Sequence, residues 1–346
     1  MKRIVFLVVL LCALTVFASS AFAAQVTTTL DVRSMPTTDN LATDGWSWDA
    51  GTLTLTLDGV DIDAIQCGIR LPGGATIVLV DGSTNTITTR ASGPANVGIS
   101  AAGSLVITNS SGTGTSGELI IRTATGESTF GMNGTGSLTF EAGTVDIITA
   151  DASVQTYQTY SCGVWFDGSI SILGGSLSAV AGNGPNQSYG IASGTSITIG
   201  QEGQPGPIVN GIGKDSGNPN HLPDSNQQYS AGIMAPRVTL NSGTVSAQAG
   251  TSPRGASSLW AWGGPTNLVV APGMLPPGVT VGMGMVGPNV STVLLSSSGD
   301  IITGPVELEV PLTPTSASSV VGMSVMAVLA LGFAVKSMGK KDLIAS

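Results

Sequence analysis

The sequence predicts an all-β chain folded as a right-handed, single-stranded parallel β-helix with three short strands in each coil. Two observations carry this prediction. A phrase of one apolar residue, one glycine and a second apolar residue recurs along the chain, with its glycines at Gly68, Gly98, Gly131, Gly163, Gly190 and Gly232. After each glycine come short segments in which apolar and polar residues alternate. Successive glycines are 30, 33, 32, 27 and 42 residues apart. Such a repeat is typical of a solenoid in which each repeat forms one turn.

The first strand of each coil surrounds the repeat glycine. Because successive side chains of a strand point to opposite faces, strict alternation puts the glycine outside and the residue before it inside. This predicts that Phe130, Cys67 and Cys162 are core residues. The cysteines lie three coils apart, about 14 Å at ~4.8 Å per coil, whereas a disulfide needs Cα atoms within ~7 Å. We expect unpaired, buried thiols, and we expect Phe130→Asp to unfold the protein.

The second and third strands of each coil are predicted from alternation alone. Apolar residues occupy every other position of the second segments, as at Ile77 and Leu79. The third segments repeat the pattern, as at Val145 and Ile147. Glycine-rich turns separate the segments, and the outward positions hold mainly Ser and Thr, which suit the solvated face of a sheet.

The N-terminal segment has the features of a secretory signal peptide. Lys2 and Arg3 precede an apolar run, and Ala21-Phe22-Ala23 matches the small residues of a cleavage site. We predict that residues 1–24 are removed on export and that residues 25–43 lead into the solenoid.

The solenoid is predicted to extend over residues 44–250, in about seven coils. Trp46 and Trp48 lie at its start, and we interpret them as a plug for the open end. Residues 201–229 are rich in Gly, Pro, Asn and Gln, so we predict an insertion loop that projects from one side. The repeat then fades, and residues 251–310 are predicted to form a C-terminal cap or a small β module.

The C-terminal segment is predicted to anchor the chain in the cell membrane. Residues 311–335 contain no charged side chain, and three lysines follow directly. About 20 apolar residues span a ~30 Å hydrocarbon core, and lysines mark its cytoplasmic side. We expect a linker at 311–319, a transmembrane helix at 320–335 and a cytoplasmic tail at 336–346, with the β-helix outside the cell. The alternative is a buried C-terminal helix.

The part between these terminal segments is acidic. Residues 25–310 contain 7 basic and 20 acidic side chains, a net charge of 7 − 20 = −13. An acidic exterior disfavours nucleic acid and anionic lipid as partners.

Two stretches of the first coils resemble a known family. They are Trp46-Ser-Trp-Asp-Ala-Gly-Thr-Leu-Thr-Leu and Gly68-Ile-Arg-Leu-Pro-Gly-Gly-Ala-Thr-Ile-Val-Leu, followed by Gly82-Ser-Thr-Asn-Thr-Ile. They resemble bacterial secreted or surface parallel β-helix proteins of the carbohydrate-binding-domain type, some of which are associated with cellulose or pectate. The resemblance covers residues 44–250 and implies the fold and a polysaccharide partner, but it assigns no ligand residue.

Tryptophans are the candidate ligand-binding residues. A flat aromatic ring can cover the apolar side of a pyranose. Trp165 is predicted to point outward beside Asp167, and Trp260 and Trp262 share one side of their strand. For these three the alternative is a structural role, with Trp260 and Trp262 plugging the second end of the helix.

The densest acidic group offers a candidate metal site. Asp58, Asp61 and Asp63 lie close in sequence, and Asp81 follows about one strand later. Ca²⁺ prefers several oxygen ligands and could bridge the protein to an acidic polysaccharide. The alternative interpretation, which we favour, is a solvated turn, so no cofactor is required and Ca²⁺ is the one candidate ion.

Catalytic motifs are not recognisable in the sequence. The single histidine, His221, lies in the predicted insertion, and the basic residues are scattered. We therefore predict a cell-surface, membrane-anchored module that binds extended polysaccharide without catalysis. The first alternative is a structural adhesin or spacer without glycan binding, and the second is a Ca²⁺-dependent polysaccharide lyase.

Overall fold

The structure is a computed structural model that describes residues 24–90, 93–153, 159–217, 228–264, 266–286 and 289–309. These residues form almost only β-structure, in three long sheets. The exception is a short helix, α1 (Leu41–Asp44).

Sheet 1 contains the strands that carry the repeat glycines. Its members are β1 (Leu30–Asp31), β6 (Cys67–Leu71), β9 (Ala95–Ala101), β12 (Ser128–Gly134), β15 (Tyr160–Phe166), β18 (Gln187–Ser193), β21 (Tyr229–Ala235), β24 (Ala256–Ala261), β26 (Thr280–Val286) and β27 (Asn289–Leu295). They lie in the order β1-β6-β9-β12-β15-β18-β21-β24-β27-β26.

Sheet 2 contains the second strand of each coil. Its members, in spatial order, are β2 (Thr38–Asn40), β3 (Trp46–Asp49), β4 (Thr54–Leu57), β7 (Ala75–Leu79), β10 (Leu105–Asn109), β13 (Leu138–Phe140), β16 (Ile170–Ile172), β19 (Ser196–Ile199), β22 (Arg237–Leu240) and β25 (Leu268–Val270).

Sheet 3 contains the third strand of each coil. Its members, in chain order, are β5 (Asp61–Ala64), β8 (Thr84–Thr89), β11 (Glu118–Arg122), β14 (Thr144–Ile148), β17 (Ser176–Val180), β20 (Ile208–Ile212), β23 (Thr244–Gln248) and β28 (Val306–Glu309).

Successive coils pair in parallel, as the sequence predicts. Leu105 of β10 pairs with Ala75 of β7 on one side and with Leu138 of β13 on the other. The same one-coil step recurs in sheets 1 and 3. The all-β class and the long parallel sheets of a β-helix solenoid are therefore confirmed.

Aliphatic ladders fill the interior between the sheets. The inward positions are fully or almost fully buried, and most of them hold Ile, Leu or Val because branched aliphatic side chains pack well on a pleated surface. One ladder runs through Ile69, Ile99, Met132, Val164, Ile191, Ile233 and Leu259 of sheet 1.

The predicted side-chain parity around the repeat glycine is wrong. The ladder pairs Phe130 with Val97 and Cys162, and Met132 with Ile99 and Val164. A Cβ added to Gly131 would collide with the buried Ile147 of sheet 3, so the glycine faces the interior rather than the solvent. Two consecutive inward positions, the glycine and the residue after it, break the alternation as in a β-bulge.

Because of this break, the residues before the glycine face the opposite way from the prediction. Five of the six side chains two positions before a repeat glycine are buried, and several of them donate to backbone carbonyls at the corner between sheets 3 and 1. Such donors are the hydroxyls of Thr129, Ser188 and Ser230, with Ala150, Gly182 and Lys214 as acceptors. Phe130 points outward, is only partly buried and belongs to a cluster separate from the main core. The prediction that Phe130→Asp would unfold the protein therefore lacks its basis.

The predicted insertion 201–229 contains a core strand. β20 lies in sheet 3 between β17 and β23, with Val209 buried in the main core. Pro and Gly flank the strand, and Asn210 and Gly211 interrupt its apolar pattern, which hid it in the sequence. Residues 218–227 of the predicted loop lie outside the described residues.

Antiparallel strands close both ends of the solenoid. At the start, β3 pairs antiparallel with β2 and β4, and Trp46 and Trp48 are buried in the main core. At the other end the parallel coils continue to β25, twenty residues beyond the predicted boundary at 250. The β26–β27 hairpin and β28 then pair antiparallel with β24 and β23.

The terminal predictions fall almost entirely outside the described residues. This applies to the signal peptide up to residue 23, and to the linker, transmembrane helix and tail at 311–346. Within the described part of the chain, no helix has the length and hydrophobicity needed to cross a membrane.

We expect Cys67 and Cys162 to resist alkylation in the native protein. Both are buried and unpaired, and burial raises the pKa of each thiol, which lowers the reactive thiolate fraction. Iodoacetamide labelling mapped by mass spectrometry should show both sites modified only in denaturant. Rapid labelling of Cys162 under native conditions would contradict its full burial in the structure.

Candidate functional site

A group of aromatic side chains covers part of the outer face of sheet 1. The ring of Trp165 lies 6.4 Å from the ring of Tyr160 and 6.4 Å from that of Tyr189, measured between centroids, with interplanar angles of 24° and 20°. Phe130 adds a tilted ring 6.5 Å from Tyr160. We call Phe130, Tyr160, Trp165 and Tyr189 the aromatic face; Tyr189 is buried, and the other three rings are partly exposed.

Strand register explains why these rings meet. Tyr160 and Trp165 stand at the two ends of β15, while Phe130 and Tyr189 occupy the same repeat position one coil before and one coil after it. The residue at that position in β15 itself is Cys162, whose small side chain is fully buried in the same cluster. A small residue in the middle of the group thus leaves room for the larger rings around it.

Two grooves flank the pair formed by Phe130 and Trp165, and both rings line both grooves. Groove 1 has a volume of about 320 Å³ and is completed by Tyr160 and Gln187. Groove 2 has a volume of about 230 Å³ and is completed by small and polar residues, which are Ser100, Ala101, Asn133, Gly134, Thr135 and Asp167.

Trp165 is held in place by Asp167. The indole Nε1 donates a hydrogen bond of 2.9 Å to Oδ1 of Asp167, two residues further along the chain. This contact fixes the ring while leaving it partly exposed. The structure therefore places the predicted pair at the surface, side by side.

Asn133 presents an unused acceptor at groove 2. Its Oδ1 is buried and has no hydrogen-bond partner among the described residues. A buried polar atom without a partner costs free energy.

The phenols of the aromatic face carry no charge at neutral pH. Burial raises the pKa of Tyr160 and raises that of Tyr189 further, because an ionised phenolate is poorly solvated there. Asp167 is then the one ionisable carboxyl group that lines either groove within the described part of the chain.

The other two predicted tryptophans differ from Trp165. Trp260 is only 3% exposed; it packs 5.1 Å from Tyr229 in the same outer cluster, next to the C-terminal hairpin. Trp262 is 44% exposed, follows the end of β24 and does not belong to that cluster. Trp260 is therefore too covered to stack on a polymer, and Trp262 stands apart from the aromatic face.

The acidic group predicted as a calcium site is spread over several contacts. Asp63 forms an ion pair with Arg90, and Asp61 accepts a hydrogen bond of 3.0 Å from Gln25. Asp58 and Asp81 are exposed in turns. Among the described residues, no three acidic, histidine or cysteine side chains gather so that they could hold a metal ion. Calcium binding stays a prediction.

The sequence analysis missed Phe130, Tyr160 and Tyr189. Phe130 and Tyr189 stand directly before repeat glycines, where strict alternation assigned them to the core. The available signal was the position directly before the repeat glycine, which holds Phe130, Cys162 and Tyr189 in three successive coils. Large rings on either side of a cysteine indicate a cluster at this position.

No protein-family model, curated protein or solved structure matches this chain. The resemblance to carbohydrate-binding β-helix proteins stays a prediction.

Proposed function

We propose that the protein is a non-catalytic module that binds extended polysaccharide on the aromatic face of sheet 1. The observation that carries the proposal is the group of partly exposed rings of Phe130, Tyr160 and Trp165, which lies across two neighbouring coils, packs on the buried Tyr189 and is bordered by two grooves. A pyranose has an apolar side that packs on a ring and a rim of hydroxyls that needs polar partners. Groove 2 offers both types of contact.

The shape of the site favours a polymer over a small molecule. Small ligands prefer concave pockets that bury most of their surface. Here the lining of each groove comes from three successive coils, which repeat every ~4.8 Å. A chain of sugars can occupy both grooves at once, and each added contact raises its affinity.

The second candidate function is a structural spacer, and the outer face of sheet 2 favours it. One outward rank runs through Thr54, Thr76, Val106, Thr139, Ser171, Thr198 and Thr239, without a charge. Such a rank serves solubility and strand pairing and needs no ligand.

The cellular setting is part of the proposal. The charge pattern of residues 1–24 and the uncharged stretch at 320–335 support export and a C-terminal membrane anchor, with a right-handed β-helix outside the cell. A surface module in that position would meet polysaccharide directly.

Trp165→Ala is expected to weaken polysaccharide binding about tenfold or more. A tenfold loss is ~1.4 kcal/mol, which is the size of one good aromatic contact. The measurement is binding of the full chain to an array of soluble polysaccharides. Trp262→Ala is the matched control, since it removes an exposed indole away from the aromatic face, and it should bind like the wild type.

Two outcomes would oppose the proposal. If the wild-type chain binds no glycan, the spacer is the better account. If binding persists in Trp165→Ala and falls in Trp262→Ala, the protein binds polysaccharide elsewhere.

A further inference from the structure

We propose that groove 2 selects uncharged, hydroxyl-rich sugars and rejects uronic and sulfated ones. This inference rests on the proposed function and specifies its ligand class. It runs against a calcium-bridged, pectate-like ligand, which the acidic group near the first coil had suggested from sequence.

Among the described residues that line groove 2, the one charged side chain is the carboxylate of Asp167. Oδ1 of Asn133 has no partner among the described residues. Asp167 contributes a carboxylate, of which Oδ1 already accepts from Trp165. The hydroxyls of a neutral sugar can donate to the Asp167 carboxylate and can also accept from the hydroxyls of Ser100 and Thr135, which line the same groove.

Groove 2 has no cation to neutralise an acidic sugar. Among the described residues that line it, none is Lys, Arg or His. A uronate would place a carboxylate, which only accepts hydrogen bonds, near the carboxylate of Asp167. Like charges at close range repel, and unpaired acceptors lose the solvation they had in water.

The nearest described cation on the same face is Arg70, which lies one coil from Ser100 at one margin of groove 2 and three coils from Trp165 at the other. Arg70 pairs in register with Ser100, which places it two coils from Asn133 and three from Trp165. Three coils of ~4.8 Å exceed the ~8 Å screening length of physiological salt. Arg70 also lies beside Asp31 in β1. Two other arginines, Arg90 and Arg122, are paired with Asp63 and Asp146 on sheet 3.

Matched polymer pairs that differ only at C6 test the inference. The probes are soluble glucan, mannan and galactan oligosaccharides, each in a neutral form and in a form whose C6 hydroxymethyl groups are oxidised to carboxylates. Affinities for the full chain are measured at two salt concentrations, with Ca²⁺ and with chelator. We expect at least one neutral form to bind, and its oxidised partner to bind at least about tenfold more weakly. We expect binding of the neutral form to be insensitive to chelator.

Two substitutions move the charge of groove 2 in opposite directions. Asp167→Asn removes the carboxylate but keeps an oxygen that can accept from the Trp165 indole, so the ratio of neutral to oxidised affinity should fall at least about threefold. Asn133→Asp adds a second carboxylate, so the same ratio should rise. Thermal unfolding of each variant controls for folding, and the ratio is read within one variant, so a general loss of affinity cancels.

The outcomes separate this inference from the proposed function. Equal or tighter binding of an oxidised form, or binding that needs Ca²⁺, overturns the selectivity; if Trp165→Ala still abolishes that binding, the proposed function stands. A ratio that does not change in Asp167→Asn and in Asn133→Asp overturns the role of groove 2. If no form of any polymer binds, both proposals fail.

Discussion

Replacing Gly131 by valine is expected to unfold the solenoid or to destabilise it by at least ~3 kcal/mol. A Cβ at this position would lie 2.5 Å from the carbonyl oxygen of Gly163 in the next coil, and it would also collide with the buried Ile147. Overpacking a core usually costs ~1–3 kcal/mol, because side chains shift to make room. Here one obstacle is backbone in a paired strand, which cannot shift without breaking the ladder.

Thermal unfolding followed by circular dichroism checks this expectation. Gly304→Ala is the control, since an added Cβ there meets no heavy atom within 4 Å and the residue lies near the edge of the C-terminal cap. The control should melt like the wild type. If Gly131→Val also melts like the wild type, the repeat glycine does not face the interior and the parity described for sheet 1 is incorrect.

Phe166→Asp is expected to abolish folding, whereas Phe130→Asp is expected to leave a folded protein that no longer binds polysaccharide. The two phenylalanines lie in neighbouring strands of sheet 1, but Phe166 is fully buried in the main core and Phe130 is partly exposed on the aromatic face. Burying an unpaired charge costs several kcal/mol, which is a large part of the ~5–15 kcal/mol that stabilises a domain. A carboxylate at Phe130 can remain solvated.

The pair of variants is informative because the chemical change is the same. Yield of purified protein and melting temperature report folding, and the polysaccharide array reports binding. A similar loss of folding in both variants would indicate that Phe130 is a core residue. Normal binding by a folded Phe130→Asp protein would remove Phe130 from the proposed site.

Side-chain alternation was enough to predict most of the architecture. The second and third strands of each coil follow a strict period of two, so pairs such as Ile77 and Leu79 were assigned correctly to the interior. Prediction failed where the period breaks. At the repeat glycine two consecutive positions face inward. Because glycine has no side chain, the pattern of apolar and polar residues does not reveal which way it faces. In β20 a glycine replaces the second inward apolar residue.

The candidate site could be predicted only in part for a related reason. Trp165 and Asp167 are two residues apart, so local spacing sufficed to bring them together. The contacts of Trp165 with Tyr189 depend on the register between coils, which unequal repeat lengths obscure. Trp260 lies next to the β26–β27 hairpin, whose strand β27 pairs with β24 and comes from a later part of the chain. Its burial could therefore not be predicted from local spacing.

Oxidative footprinting of the full chain, with and without the best-bound neutral polysaccharide of the array, tests the central claim most directly. Hydroxyl radicals modify exposed aromatic side chains, and a bound polymer shields those that it covers. We expect Trp165, Tyr160 and Phe130 to lose most of their modification on binding, while the exposed Trp262 keeps its own. Unchanged modification of Trp165 together with protection of Trp262, or of the Thr-rich rank of sheet 2, would contradict the assignment of the aromatic face as the polysaccharide-binding site.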